Sequence, residues 1–263
     1  MPPVPAGAVF IARTLKYRLT QKSLSFMAAP LANNHISVDC VVLGFDGESL
    51  NVLLSKRSGC DSNGEVFMDY KLPGSLIYQD EDLDDAASRV LKELTGVSDV
   101  TLTPFKAFGS KDRTSNLRDV HWLEKEQAKV KRIVTIAYFS LVKLDKTLEK
   151  TVNTEVAEWQ RLNQLGRLAF DHNLIIAEAL KAIRREADNN RALIFNLLPK
   201  KFTASQFRML MEIIYDKQLD VRNFHKKISQ LSYIIPLDER QQGVAHRAAR
   251  YYRFDKNAYS GSR

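Results

Sequence analysis

Residues 72–97 read LPGSLIYQDEDLDDAASRVLKELTGV, a loop that leads into one amphipathic segment and a closing glycine. Apolar side chains recur in this segment at the three- and four-residue spacing of a helix face, which predicts a helix over Asp82–Leu94. These side chains are Leu83, Ala86, Ala87, Val90, Leu91 and Leu94. Gly96 can adopt the left-handed backbone conformation that ends many helices. We therefore expect this helix to pack on a neighbouring layer.

Strand patterns surround this helix. The predicted strands are Ile36–Phe45, Leu50–Lys56, Val100–Phe108 and Val130–Leu144, and a second helix is predicted over Leu174–Glu186. Asp46-Gly47, between the first two strands, is a strong hairpin signal. This order predicts an antiparallel or mixed sheet flanked by helices, an α+β or α/β domain of residues 36–188.

Charge is divided unevenly along the chain, whose net charge is +8. Residues 190–263 hold 14 Lys and Arg against 6 Asp and Glu, residues 1–35 hold four basic and no acidic side chains, and residues 36–189 are left at −4. A basic tail on a mildly acidic body favours a polyanionic partner for the tail. A solvated basic surface is the alternative.

The tail, residues 189–263, has the pattern of a second domain. Thr203–Tyr215 is predicted to be a helix that begins with a capping box between Thr203 and Gln206. Asp220–Leu231 is a second predicted helix with Asp220 as its N-cap. Two short strand-like segments follow around a polar turn that contains Gly243. Two helices and a hairpin are the order of a winged helix-turn-helix.

Residues 1–35 are predicted to be an N-terminal extension. Their composition is compatible with a transit peptide or leader, but we expect either disorder or a translation start at Met27. No stretch approaches the ~20 apolar residues that span a bilayer. The two cysteines, Cys40 and Cys60, are too few for a disulfide scaffold or a zinc site. We therefore expect a cytoplasmic protein.

The opening stretch resembles a Nudix box, GX5EX7REUXEEXGU with U aliphatic. The retained positions are Glu81, Arg89, Glu93, Gly96 and Val97, and the departures are Ser75, Val90 and Leu94. Leu53–Arg57 resembles the second Nudix strand, while Ala157–Trp159 and Leu168–His172 resemble the last strand and helix of the ADP-ribose pyrophosphatase branch. The likeness covers Ile36 to about Ala187 and implies the Nudix fold, an α/β/α sandwich.

The departures from the box bear on catalysis. Nudix hydrolysis holds divalent cations on carboxylates of one helix face, and Mg²⁺ prefers such oxygen ligands. Because Val90 and Leu94 replace two of three helix carboxylates, Glu93 and Glu81 would make a poor multi-metal site. The resemblance thus implies a degenerate box with no catalytic residue, metal or cofactor. A Nudix hydrolase acting on ADP-ribose or a related nucleoside diphosphate is the alternative.

The tail resembles the winged helix of the NrtR family, transcriptional regulators that fuse a non-catalytic Nudix domain to a DNA-binding tail. The likeness is carried by Phe195–Pro199, Phe202-Thr203, Leu219–Phe224, His246-Arg247 and Tyr251–Phe254. A closer likeness is to the Bacteroidetes-type AraR branch, which is sugar-responsive. The resemblance implies a homodimeric regulator of sugar metabolism that binds operator DNA and an effector, either a pentose sugar or an ADP-ribose-like metabolite.

Six residues are candidates for the effector cleft. They are Arg57, Glu93, Phe108, Ser110, Asp112 and Arg113. The two guanidinium groups suit phosphate or sugar hydroxyls, and Phe108 would stack on a base or a sugar face. Thr114–Val130 is an insertion relative to the family that carries Trp122 and Leu123 beside this cleft. The insertion leaves the effector's identity open.

The predicted helix from Asp220 is the candidate recognition helix, since the second helix of this motif enters the major groove. Arg222 and Asn223 suit guanine and adenine, whereas Lys226 and Lys227 are expected to meet phosphates. The apolar face is Phe224, Ile228 and Leu231, and the wing candidates are Arg240, His246 and Arg247. The alternatives are exposed surface charge for each residue, and an RNA- or protein-binding module for the tail.

Overall fold

A computed structural model describes residues 32–61, 64–125, 132–243 and 248–260. The predictions for residues 1–31 lie outside the described residues. The first strand begins at Ala32, four residues before the predicted Ile36. No helix among the described residues is long and apolar enough to cross a membrane.

The N-terminal part is built on one mixed sheet. Its strands are β1 (Ala32–Phe45), β2 (Leu50–Cys60), β3 (Val66–Lys71), β4 (Gly74–Tyr78), β5 (Thr103–Phe108), β6 (Val134–Lys143) and β7 (Ala157–Arg161). The strands follow the order β3-β2-β1-β6-β5, with β4 paired to β1 and β7 to β2. The β1–β6 pair is parallel, and the other pairs are antiparallel. The predicted mixed sheet is confirmed.

Helices cover both faces of this sheet. They are α1 (Leu83–Thr95), α2 (Leu117–Lys125), α3 (Lys146–Thr151) and α4 (His172–Asn189). Alternate residues of β1 point to opposite faces, as a strand requires. Val38, Cys40 and Val42 share one buried cluster with α1, whereas Val41, Leu43 and Phe45 share the other with α4. The α/β/α sandwich of the Nudix fold is confirmed.

The C-terminal part is a winged helix. A 3-10 turn (Arg191–Asn196) leads to β8 (Phe202–Thr203), α5 (Ala204–Tyr215), α6 (Val221–Ser229), β9 (Ile234–Arg240), β10 (Arg250–Phe254) and α7 (Lys256–Ser260). The three strands form a sheet in the order β8-β10-β9. Both bonds of the predicted capping box between Thr203 and Gln206 are present. The side chain of Asp220 accepts a hydrogen bond from Asn223 N at 2.8 Å and caps α6, also as predicted.

The two parts share one hydrophobic core. A single cluster extends from the sheet through α4 to the aromatic residues of the winged helix, where the rings of Phe195 and Phe254 stack 4.1 Å apart. The β1–β2 turn also reaches the winged helix. A Cβ atom at Gly47, whose φ is 101°, would lie 2.8 Å from Gln206 Nε2. The turn therefore requires glycine for two reasons, its positive φ and the absence of a Cβ atom beside Gln206.

Several elements differ from the predictions. No strand was predicted between Lys56 and the helix that begins at Asp82, but β2 continues to Cys60 and β3 and β4 follow. Strands β5 and β6 begin at Thr103 and Val134, later than predicted. Part of the insertion folds as helix α2. These elements gain their stability from partners distant in sequence, which local patterns do not reveal.

Candidate functional site

A cavity of about 140 Å³ opens where β1, β4, α2 and the start of α4 meet. Its lining combines charged, hydroxyl-bearing and aromatic side chains. The lining residues are Ser37, Asp39, Lys71, Gly74, Ser75, Leu76, Arg113, Thr114, Trp122, Leu123, Ile133, Phe170 and His172. Because several polar groups converge on a partly apolar recess, this cavity is the candidate ligand site of the domain.

Buried charges form one side of the cavity. The guanidinium of Arg113 lies between two carboxylates, 3.0 Å from Asp171 Oδ1 and 3.4 Å from Asp39 Oδ2. Its Nη1 atom also donates to the carbonyls of Phe108 and Ile133. Arg113 Nε is buried and has no hydrogen-bond partner within the described part of the chain. Arg113 therefore organises this side of the cavity.

The charges shift each other's protonation. Burial lowers the pKa of His172 to about 4, although the nearby Asp39 opposes this shift. Burial acts to raise the pKa of Asp39, but the cationic side chains of Arg113 and Lys71 hold it below its usual value. Burial and the nearby Asp39 carboxylate raise the pKa of Asp171. At neutral pH the cavity thus holds an ionised Asp39 beside a neutral imidazole.

Close backbone packing brings Asp39 to the cavity wall. A Cβ atom at Gly74 would lie 1.9 Å from Asp39 Oδ1. Lys71, which is also buried, donates from Nζ to the carbonyl of Gly74 at 2.7 Å. Glycine at this position is therefore required for β4 to pass so close to the carboxylate.

Arg57, predicted to contact the ligand, lies behind the cavity instead. Its buried guanidinium donates to both oxygens of Asp69 at 2.7 and 2.6 Å. The same group lies 5.2–5.4 Å from the ring centres of Phe67, Trp122 and Phe170. An arginine held in this way is a structural support for the aromatic rings rather than a free oxyanion binder.

The other predicted ligand residues are dispersed. Of the six, the structure brings only Arg113 to the cavity lining. Phe108 is buried in the core against Phe105. Ser110 and Asp112 are exposed in the loop after β5. Glu93 is 55% exposed and faces Arg89.

Sequence reasoning missed Asp39, His172 and Phe170. A charged residue inside the apolar run of β1 was a usable signal for Asp39, since unpaired charges are costly to bury. Phe170 and His172 lie in a quoted segment, Leu168–His172, that was used only to identify the fold.

The apolar residues that replace carboxylates in the degenerate Nudix box belong to the hydrophobic core or pack against it. Val90 is fully buried in the α1 core cluster, and Leu94 packs against that cluster. Arg89 donates to Glu81 at 2.8 and 2.5 Å and to Glu93 at 3.2 Å, so it engages both remaining carboxylates. Ser75, at the place of the leading glycine, lines the cavity. The described residues contain no cluster of three or more His, Cys, Asp or Glu side chains suited to a metal.

Helix α6 presents a polar face to solvent. Arg222, Asn223, Lys226 and Lys227 are all exposed, while Phe224 and Ile228 are buried beneath them. In the wing, Arg240 Nη1 donates to the carbonyl of Ala248 at 3.2 Å. His246 and Arg247 lie outside the described residues. The helix therefore has the basic exposed face and apolar buried face that a DNA-reading helix needs.

Comparison with known proteins agrees with both parts. Residues 33–183 match the NUDIX domain family and residues 194–254 the NrtR DNA-binding winged helix domain. The chain is 26% identical, over 245 residues, to the ADPR responsive transcriptional repressor NtrR of Acinetobacter baylyi, covering 92% of this chain and 88% of that protein.

Two solved structures share the fold. Shewanella oneidensis NrtR, complexed with a 27mer DNA, matches at a TM-score of 0.58 and 21% identity, over 86% of this chain and 95% of that one. A MutT/nudix family protein from Enterococcus faecalis matches at a TM-score of 0.53 and 21% identity, over 93% of each chain.

Proposed function

The chain belongs to the Nudix domain family and carries an NrtR DNA-binding winged helix, and from this premise we propose that it is a ligand-responsive transcriptional repressor. The observation that carries the proposal is the presence of a candidate ligand site and a candidate DNA-binding helix in the same chain. A polar cavity in the Nudix domain and the exposed basic face of α6 are joined through a shared hydrophobic core. The match to the Acinetobacter relative, described as an ADPR responsive transcriptional repressor, extends over 92% of this chain and therefore includes both domains.

We propose that the effector places a sugar ring in the cavity. A volume of about 140 Å³ suits one ring-sized group. Asp39 offers carboxylate oxygens that accept from sugar hydroxyls, and Trp122 offers an apolar ring face. Arg113 is already engaged by two carboxylates, which favours a neutral group over a phosphate at this point. ADP-ribose is the first candidate, with its remainder outside the cavity, and a free pentose is the second.

As a repressor, the chain is proposed to act as a cytoplasmic homodimer. Two-fold protein symmetry is matched by palindromic operators, with each recognition helix in one half-site. The effector would then change the spacing of the two winged helices, by binding one arrangement of the dimer better than the other.

A DNA-release experiment tests this function. Duplexes selected by the purified protein from random DNA are titrated by fluorescence anisotropy, with and without ADP-ribose or D-ribose. We expect one of the two compounds to raise the melting temperature of the protein and to weaken its DNA affinity. Absence of sequence-selective DNA binding would contradict the proposal. Sustained hydrolysis of ADP-ribose with Mg²⁺ would favour the Nudix hydrolase instead.

A further inference from the structure

One buried carboxylate behind the cavity joins three separate elements. Asp119, on α2, is 3% exposed and is not among the cavity-lining residues. Its Oδ1 atom lies 2.7 Å from Arg57 Nη1 on β2. Its Oδ2 atom accepts a hydrogen bond at 3.0 Å from the backbone N–H of Phe170, just before α4. Asp119 therefore connects α2, β2 and the segment that leads into α4.

The backbone that Asp119 holds has an unusual conformation. Phe170 has a φ of 54°, in the left-handed region that bulky residues rarely adopt. Such a conformation persists where surrounding contacts enforce it. The hydrogen bond from Phe170 N to Asp119 is one such contact. The Phe170 ring lines the cavity, 5.2 Å from the ring of His172.

The second aromatic wall, Trp122, lies on the same helix as Asp119. Trp122 lies three residues after Asp119 on α2, and its ring is 6.3 Å from that of Phe170 at an angle of 71°. Arg57 is already held by two hydrogen bonds to Asp69, so its ion pair with Asp119 ties α2 to the sheet. The two rings reach the cavity from different elements. Asp119 accepts a hydrogen bond from the backbone of Phe170 and lies one helical turn before Trp122.

We propose that Asp119 is a positioning residue that sets the geometry of the Trp122–Phe170 walls and thereby controls effector affinity without touching the effector. The effect on effector affinity rests on the proposed function, whereas the effect on the geometry of the two rings does not. Without the carboxylate, Phe170 loses the acceptor for its N–H, and α2 loses its ion pair with β2 and keeps the contacts of Trp122 with that strand. The rings would then no longer be held in one arrangement for stacking.

Trp122 provides a direct probe of the wall. The chain has two tryptophans, and Trp159 is partly buried against the core cluster on the α1 face of the sheet. In a Trp159→Phe background, acrylamide quenching of fluorescence reports on Trp122 alone. The test compares Asp119→Ala and Asp119→Asn with the matched control Glu124→Gln, an exposed carboxylate on the same helix. Asp119→Asn keeps the side-chain volume and serves if the alanine variant fails to fold.

Asp119→Asn can still accept from Phe170 N–H through its amide oxygen but loses the charge pairing with Arg57, so it should raise the quenching of Trp122 less than Asp119→Ala does. In ligand-free Asp119→Ala we expect quenching to rise about twofold, because a loosened helix admits the quencher more often. ADP-ribose affinity should fall about tenfold, which is the size of one lost aromatic contact. Glu124→Gln should change neither value. All measurements are made well below the melting temperature of each variant, so a loss of global stability alone would move neither readout.

Unchanged quenching in both Asp119 variants would overturn the positioning role. Increased quenching with unchanged affinity would overturn the link between wall geometry and binding. If the parent protein binds neither ADP-ribose nor D-ribose, the proposed effector fails, and the quenching result still decides whether Asp119 positions the wall.

Discussion

The Nδ1 atom of His172 accepts a hydrogen bond from the backbone N–H of Leu72 at 2.8 Å. This bond joins the first residue of α4 to the loop before β4, on the wall of the cavity. Because Nδ1 acts as the acceptor, the proton of the neutral ring lies on Nε2, which is 3.7 Å from Asp39 Oδ1. The imidazole therefore supports the fold through one nitrogen and faces the buried carboxylate with the other.

This arrangement predicts a loss of stability in mild acid. Burial lowers the pKa of His172 from the ordinary histidine value of 6.5 to about 4. Between these two pH values the imidazole is protonated in the unfolded chain but neutral in the folded chain. The free energy of unfolding therefore falls as the pH drops from about 6.5 to 4. The expected loss is on the order of 3 kcal/mol. Urea denaturation across this pH range measures it.

His172→Asn is the matched variant for this prediction. The asparagine Oδ1 can take the place of Nδ1 as acceptor for Leu72 N, but the side chain does not titrate. The difference in stability between the two proteins should depend on pH between 4 and 6.5 and be constant above that range. Parallel pH profiles would contradict the assignment of the effect to His172.

A second prediction concerns Arg113, whose guanidinium lies between the buried Asp39 and the partly buried Asp171. Arg113→Ala should leave Asp171 without its cation and Asp39 with only the nearby Lys71, and should destabilise the protein by about 3–5 kcal/mol. Arg113→Lys keeps the charge but cannot reproduce the two-sided contact, and should cost less. Thermal unfolding of both variants checks this order. Near-normal stability of Arg113→Ala would show that the residue is free to serve the effector alone.

Local patterns were sufficient for much of the fold. The helix that begins at Leu83, the Thr203–Gln206 capping box and the Asp220 cap all depend on residues within one or two turns. The position of β4 beside β1 and the folding of the insertion as α2 depend on tertiary partners. Such contacts have no local signature, which is why these elements were missed.

The cavity was predicted less well for the same reason. Arg113, Asp39 and His172 come from three distant segments and meet only in the folded chain. Arg57 was assigned by residue type from the family resemblance. Its burial follows from Asp119 and Trp122 on α2, which are distant from it in sequence.

A third prediction is that the protein does not turn over ADP-ribose. Val90 is part of the core, and Arg89 engages both Glu81 and Glu93. Metal binding would have to displace this arginine and still lack ligands. Purified protein should show no hydrolysis above background with Mg²⁺ or Mn²⁺ in a phosphate-release assay coupled to phosphatase. Metal-dependent turnover that is lost in Glu93→Gln would contradict this and identify a hydrolase.

The last prediction separates base reading from phosphate binding on α6. Arg222 and Asn223 follow the Asp220 cap and are exposed, at the N-terminal end of α6 that we expect to face the major groove. Replacing either with alanine should cost roughly 1–3 kcal/mol of discrimination between specific and scrambled duplexes. The cap itself survives in Asn223→Ala, because Asp220 bonds to the backbone N–H of Asn223 and not to its side chain.

Lys226 and Lys227 lie in the last turn of α6 and provide the matched comparison. Each alanine variant should weaken binding to both duplexes equally and reduce the slope of log affinity against log salt by about one, because one fewer phosphate counterion is released. Anisotropy titrations of the four variants at several salt concentrations distinguish the two classes. If Arg222→Ala lowers affinity equally for the specific and scrambled duplexes, α6 does not read bases, and sequence preference must come from another part of the winged helix.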